Sequence, residues 1–359
     1  MYPSKPRDDH KTGLSTSERK WLHIGSVKQG RNEPEILKDE LKAEMQTWKY
    51  PLHMIDFETT ASALPYHTGL HPYENIAFQF SHHIIKADGT IEHAGQFLDI
   101  DSDDCPNFTF VRELKKQLEQ DDGSVFRYSH HENTILNGIH DQLAASDEKD
   151  KDKLMAFIES ITHKNDVRTG GRDMIDLCDI VKRFYWHPSM KGSNSIKLVL
   201  PAVLQSSSFL QEKYGKPIYG STIKSLNYTA DTAIALLTKD ESGNVQNPYK
   251  VLPTLGEIED AIIERLAKDG NLTKEQLTQL IGSSQDEDDG GFEEDTKINN
   301  GGLPLVVYRY LQTFPHDGAT AGGVRVETIR EALLRYCELD TMAMVLIWEY
   351  FAHECGIIS

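Results

Sequence analysis

The sequence predicts an α/β domain. Its sheet is mixed, with an antiparallel hairpin beside parallel strands, flanked by helices and carrying a large insertion before a C-terminal helix. Three observations predict this. Apolar residues recur at every second position through "NIAFQFSHHII" (75–85), and "TIEHAGQFL" (90–98) follows across the turn residues "KADG". Strand-like and helix-like segments then alternate, the pattern of parallel strands joined by helical crossovers. Finally, "VETIREALLRYCELDTMAMVLIWEYFAHE" (326–354) is the clearest helix in the chain.

Residues 1–48 are polar, and "LSTSERKWL" starts a short helix with a Ser or Thr cap. "LHMIDFET" reads as the first strand of the main domain, 49–359, and the hairpin follows it. "PNFTFVRELKKQLEQ" spaces Val111, Leu114 and Leu118 helically after Pro106. "SVFRYS" (124–129) is a short strand and "HENTILNGIHDQLAA" a helix. "RDMIDLCDIVKRFYW" and "SIKLVLPAVL" are helical or mixed. From about 205 to 325 the periodicity weakens, and Gly, Ser, Asn and Asp become frequent; this reads as an insertion, mobile near 283–302.

With 38% hydrophobic and 26% charged residues, the 359-residue chain belongs to the soluble globular class. No apolar run approaches the ~20 residues needed to cross a bilayer, and no signal-like apolar region opens the chain. The four cysteines form neither a CxxC pair nor a zinc spacing, so a reducing cytoplasm is expected. The net charge of −18 argues against a protein that coats duplex nucleic acid. Part of the excess is local: "DEDDGGFEED" (286–295) holds seven carboxylates.

Chemistry enters at "HMIDFETT" (53–60), where Asp56 and Glu58 share one face of a strand. Two carboxylates so close repel each other, and burying them unpaired is costly. A hard divalent cation between them removes the conflict; a solvated edge strand is the alternative. In the last helix Tyr336 and Asp340 lie one turn apart on a stripe with Leu333 and Met344. Glu132 follows the strand "VFRYS", at the rim where strand ends of an α/β sheet gather ligands.

This order of acids resembles the tyrosine-bearing branch of the DEDD 3′–5′ exonuclease superfamily, which has the RNase H-like fold. "YPLHMIDFETT", "FRYSHHENTIL", "DMIDLCDIVKRFYWHPSMKGSNSIKLVLPAVL" and "RYCELDTMAMV" are more specifically similar to the family called domain of unknown function 2779. That likeness covers about 50–205 and 325–352. The family is generally regarded as bacterial RNase H-like nuclease domains, often joined to an upstream restriction-nuclease-like half. About 48 residues precede the first strand here, and no such half is expected among them. One departure is Glu132, where the wider superfamily usually has Asp.

The resemblance implies hydrolysis of phosphodiester bonds with two Mg²⁺ or Mn²⁺ ions. Asp56, Glu58, Glu132 and Asp340 would be the ligands, with Asp56 bridging. Tyr336 would orient the attacking water, being too weak an acid to serve as a free base. The substrate would be the 3′ end of single-stranded DNA or RNA, and the products nucleoside 5′-monophosphates.

Thr59 and His131 flank the acids as candidate substrate contacts, though His131 reads more simply as a surface histidine. In "HPSMKGSNSIK", Lys191, Ser193, Ser195 and Lys197 either hold phosphates or cap a helix. Asp176 is either a further site acid or a helix cap, while Phe57, Phe184, Tyr185 and Trp186 are base-stacking or, more simply, core. Two other classes compete. One is a nucleic-acid-binding module that no longer hydrolyses. The other is a glycosidase, whose two acids need no metal and leave the remaining acids and Tyr336 without a role. The choice between DNA and RNA, protein partners and oligomeric state stay open.

Overall fold

The computed structural model describes residues 12–101, 104–165, 167–251, 303–313, 320–321 and 324–358. The stretch 283–302 and its acidic run lie outside the described residues, as does part of the 205–325 insertion.

The domain is α/β with a mixed five-stranded sheet. Its strands are β1 (Leu52–Ala61), β2 (Asn75–Ile85), β3 (Ile91–Leu98), β4 (Val125–Arg127) and β5 (Ile175–Asp176), in the order β3-β2-β1-β4-β5. The hairpin pairs are antiparallel; β1 with β4 and β4 with β5 are parallel. The helices of seven or more residues among the described residues are α1 (Thr16–Gln29), α2 (Lys38–Met45), α3 (Asn107–Leu118), α4 (His131–Ala145), α5 (Lys151–Ile161), α6 (Leu177–Phe184), α7 (Ile196–Ser206), α8 (Ser208–Tyr214), α9 (Leu303–Thr313) and α10 (Val326–Glu354). The last helix spans the residues that the sequence pattern predicts.

β1 is central, not an edge. That removes the solvated-edge explanation for its acids. Ile55 and Phe57 enter one apolar cluster with residues of α3, α4 and α5. Leu52 and Met54 enter another, with residues of α2, α6, α7, α8 and α10. Period-2 alternation therefore sends Asp56 and Glu58 to the α10 side. Ser81 and Gln79 of β2, their cross-strand partners, point the same way and anchor α10. Gln79 donates to the Leu333 carbonyl at 2.7 Å, and Ser81 Oγ pairs with Thr341 Oγ1 at 2.7 Å.

β2 was expected to alternate, yet almost every residue in it is buried, because helices cover both faces of the sheet. The N-terminal segment is also built in. Ser15 caps α1 through a capping box with Glu18, and Leu41, Met45 and Trp48 enter the α10-side core. α10 is buried at every position from Tyr336 to Ala352, which suits a helix enclosed by other elements. No helix among the described residues is long and apolar enough to cross a membrane.

Candidate active site

The parallel pairing of β1 with β4 runs through His53↔Val125 and Met54↔Phe126, two residues short of Asp56. Just before the two strands begin, the backbones come very close: a Cβ on Gly123 would lie 1.9 Å from the Pro51 carbonyl oxygen. Past that point β4 ends, and α4 begins at His131. Glu132 in its first turn is 2% exposed. The register of β1 with β2 shifts between Glu58 and Thr59, skipping Phe78. Such bulges re-aim the side chains that follow them. Thr59 Oγ1 lies 3.1 Å from His131 Nε2, so two residues predicted to flank the acids meet each other.

Asp56 is half-buried by surface area, but its carboxylate is desolvated. Burial is the largest cause of a pKa well above the ordinary Asp value. The charges of Asp340, Glu132 and Glu58 push it further, in that order, against a weak opposing bond from Cys337. Carboxylates from β1, α4 and α10 thus act on one spot. Glu58 and Asp340 are each 8% exposed. The Cys337 thiol lies 3.7 Å from both the backbone carbonyl and Oδ2 of Asp56. Asp56, Glu58 and Cys337 each offer a ligand atom, all within 4.8 Å of one another. This donor set fits a divalent cation: two hard oxygens and one soft sulfur, in a place where added positive charge relieves repulsion.

Tyr336 is buried beside the acids. Burial first, then Asp340, Glu58 and Asp56, hold its phenol well above its ordinary pKa, so it stays protonated. Lys197 Nζ donates to its hydroxyl at 3.0 Å, which leaves the phenolic O–H for donation. Lys197 also lowers the Asp340 carboxyl, which burial otherwise raises. From sequence, Lys197 either holds phosphate or belongs to a helix-capping loop; in the fold its ammonium faces Tyr336 and Asp340.

The rest of "HPSMKGSNSIK" is a turn. Lys191 takes a left-handed conformation with φ 53° and is exposed. Ser193 Oγ accepts from the Ser195 backbone N–H at 3.1 Å. Ser195 stands at the N-cap position of α7 but makes no side-chain cap. Asp176 is a cap: its Oδ1 accepts from the N–H groups of Cys178, Asp179 and Ser129, and its Oδ2 from Arg127. Phe57, Phe184, Tyr185 and Trp186 are core residues, each no more than 4% exposed.

Two residues at the site were not anticipated. Cys337 was legible in principle, because it precedes Asp340 by three positions on a helix and so shares its face. Tyr249, on the short helix Pro248–Val251, donates to Asp340 Oδ1 at 2.5 Å. It sits in the weakly patterned insertion, where no local signal marks it.

A family model described as a domain of unknown function (DUF2779) matches residues 53–195. This region holds Asp56, Glu58, Glu132 and the turn before α7; α10 lies outside it. No curated protein and no solved structure matches the chain.

Proposed function

We propose that the protein is a metal-dependent 3′–5′ exonuclease of the DEDD type on an RNase H-like fold, acting in the cytoplasm on single-stranded DNA or RNA. The observation that carries this reading is the donor cluster of Asp56, Glu58 and Cys337, whose ligand atoms all lie within 4.8 Å of one another, around an Asp56 carboxyl raised first by burial and then by Asp340, Glu132 and Glu58. Structural acids acquire cationic or N–H partners; a cluster that keeps its repulsion is arranged for added positive charge.

Asp56, Glu58, Glu132 and Asp340 would hold two Mg²⁺ or Mn²⁺ ions, with Cys337 alongside. When bound, the ions supply charge stabilisation for attack on the phosphodiester and departure of the 3′ oxygen. The protein's own groups do the rest. Tyr336, neutral and held by Lys197 at 3.0 Å, donates a hydrogen bond that orients the attacking water. Lys197 contributes the positive charge beside Asp340. Thr59 and His131, paired at 3.1 Å, offer polar atoms to the terminal nucleotide.

The test is digestion of end-labelled single-stranded DNA and RNA, with Mg²⁺ and Mn²⁺ in turn. Mononucleotides released from the 3′ end are expected, and their loss in Asp56→Asn. Retention of oligonucleotides without any hydrolysis would instead select the binding-module reading.

A further inference from the structure

The Asp340 carboxylate has a buried neighbour from a part of the chain far outside the region that the family model matches. Tyr249 is 5% exposed and donates its hydroxyl to Asp340 Oδ1. Its ring centroid lies 6.3 Å from that of Tyr336, with the planes tilted by 55°. Both tyrosines therefore stand over the same carboxylate, but they do different things. Tyr336 accepts from Lys197, whereas Tyr249 spends its proton on Asp340 itself.

The segment that carries Tyr249 is anchored to the same helix at a second point. Tyr219 and Ser225 donate to Oε1 of Glu338, the former at 2.6 Å, and Asn227 Nδ2 donates to Oε2 at 2.8 Å. Residues 219–249 thus grip α10 at 338 and again at 340. A carboxylate accepts about four hydrogen bonds or ligand contacts, so one bond at Oδ1 fixes its plane and still leaves Oδ2 for another partner. Carboxylates that bind metals are commonly held this way by outer hydrogen bonds.

We propose that Tyr249 is a positioning residue for Asp340, so that the insertion contributes a working part of the acid site. This rests on Asp340 being a cation ligand. Tyr249→Phe keeps the buried ring and removes only the donor. Mn²⁺ affinity of the full chain, measured by electron paramagnetic resonance, should fall about 10- to 100-fold in Y249F. It should be abolished or nearly so in Asp340→Asn. Thermal unfolding in EDTA and in Mn²⁺ gives the readout that a merely structural role would not move. Positioning predicts that the Mn²⁺-dependent rise in Tm shrinks in Y249F; a packing role lowers Tm equally in both conditions.

Tyr249→His, which retains a ring donor, should bind Mn²⁺ more tightly than Y249F, and it takes that variant's place if Y249F does not fold. If the wild type binds no Mn²⁺, the nuclease reading and this inference fall together. If the wild type binds and Asp340→Asn does not, equal or tighter binding by Y249F overturns the role of Tyr249 alone.

Discussion

Glu338 and Asp340 stand two residues apart on one buried helix, and their surroundings are opposite. Burial alone would raise Glu338, but bonds from His93, Ser225 and Tyr219 outweigh it and hold the carboxyl below its ordinary pKa. His93 Nδ1 is 3.0 Å from Glu338 Oε1, and His93 Nε2 is 3.1 Å from Ser81 Oγ, which continues to Thr341 and His83. Every member of that network except the half-buried Ser225 is buried. Asp340 instead lies near enough to Asp56 to push that carboxyl up, and burial raises Asp340 itself despite Lys197 and Tyr249. The difference separates two uses of a buried carboxylate. Where donors are matched to charge, the group fixes the helix in place. Where charge exceeds donors, the fold has left a deficit that a ligand can fill.

The sharpest way to break this contrast is to neutralise one acid of each kind. Asp56→Asn should lower exonuclease activity by roughly 10³-fold or more, since a cation clamp is worth several kcal/mol in the transition state. In EDTA at neutral pH it should leave unfolding stability equal or higher, because it removes repulsion. Glu338→Ala should do the reverse to stability. It leaves buried donors without their acceptor and should cost about 3–5 kcal/mol in urea unfolding. A stability loss in Asp56→Asn as large as that in Glu338→Ala would dissolve the distinction.

A pH series sharpens the same point. The folded pKa of Asp56 lies above its unfolded value near 3.8. Between the two, the native state holds a proton that the unfolded chain has released, so stability must fall as pH rises through that window. Glu338 is shifted the other way. Its contribution is present above the unfolded value near 4.5 and is lost as pH falls. In EDTA, urea melts of Asp56→Asn from pH 4 upward, on the order of one pH unit per step, should therefore show a weaker decline than wild type. An unchanged slope would mean that Asp56 is not the desolvated group.

Much of this site was legible in the sequence because its signals are local. The DxE dipeptide on a strand, the acid opening a helix after a strand, and Tyr336 and Asp340 one helical turn apart each follow from backbone periodicity alone. Periodicity also gave the hairpin and the limits of α10. What escaped depends on tertiary placement. Asp176 is a cap because β5 ends where α6 begins, and two residues are too few to show a strand period. The pairing of Lys197 with Tyr336 joins residues 139 positions apart. Tyr249 reaches Asp340 from a segment with little periodicity of its own, and its identity as a site residue lies wholly in where that segment is carried.

Smaller effects test the donor side of the contrast. On the proposed nuclease reading, Tyr336→Phe removes the hydroxyl that would orient the water but no ligand. It should lower kcat by about 10²-fold, the low end for a positioned proton-handling group, and leave Mn²⁺ affinity near wild type. Lys197→Met keeps the aliphatic stem and deletes the charge that supports both Tyr336 and Asp340. A loss of about tenfold is expected, with the pH profile shifting because Asp340 loses a cationic neighbour that lowers its carboxyl. The least change should come from His131→Ala. Its bond to Thr59 at 3.1 Å is half-buried and worth about 1 kcal/mol. If the pair contacts the terminal nucleotide, that amount appears in KM for short oligonucleotides with kcat preserved. If it only ties α4 to β1, it appears in unfolding and not in KM.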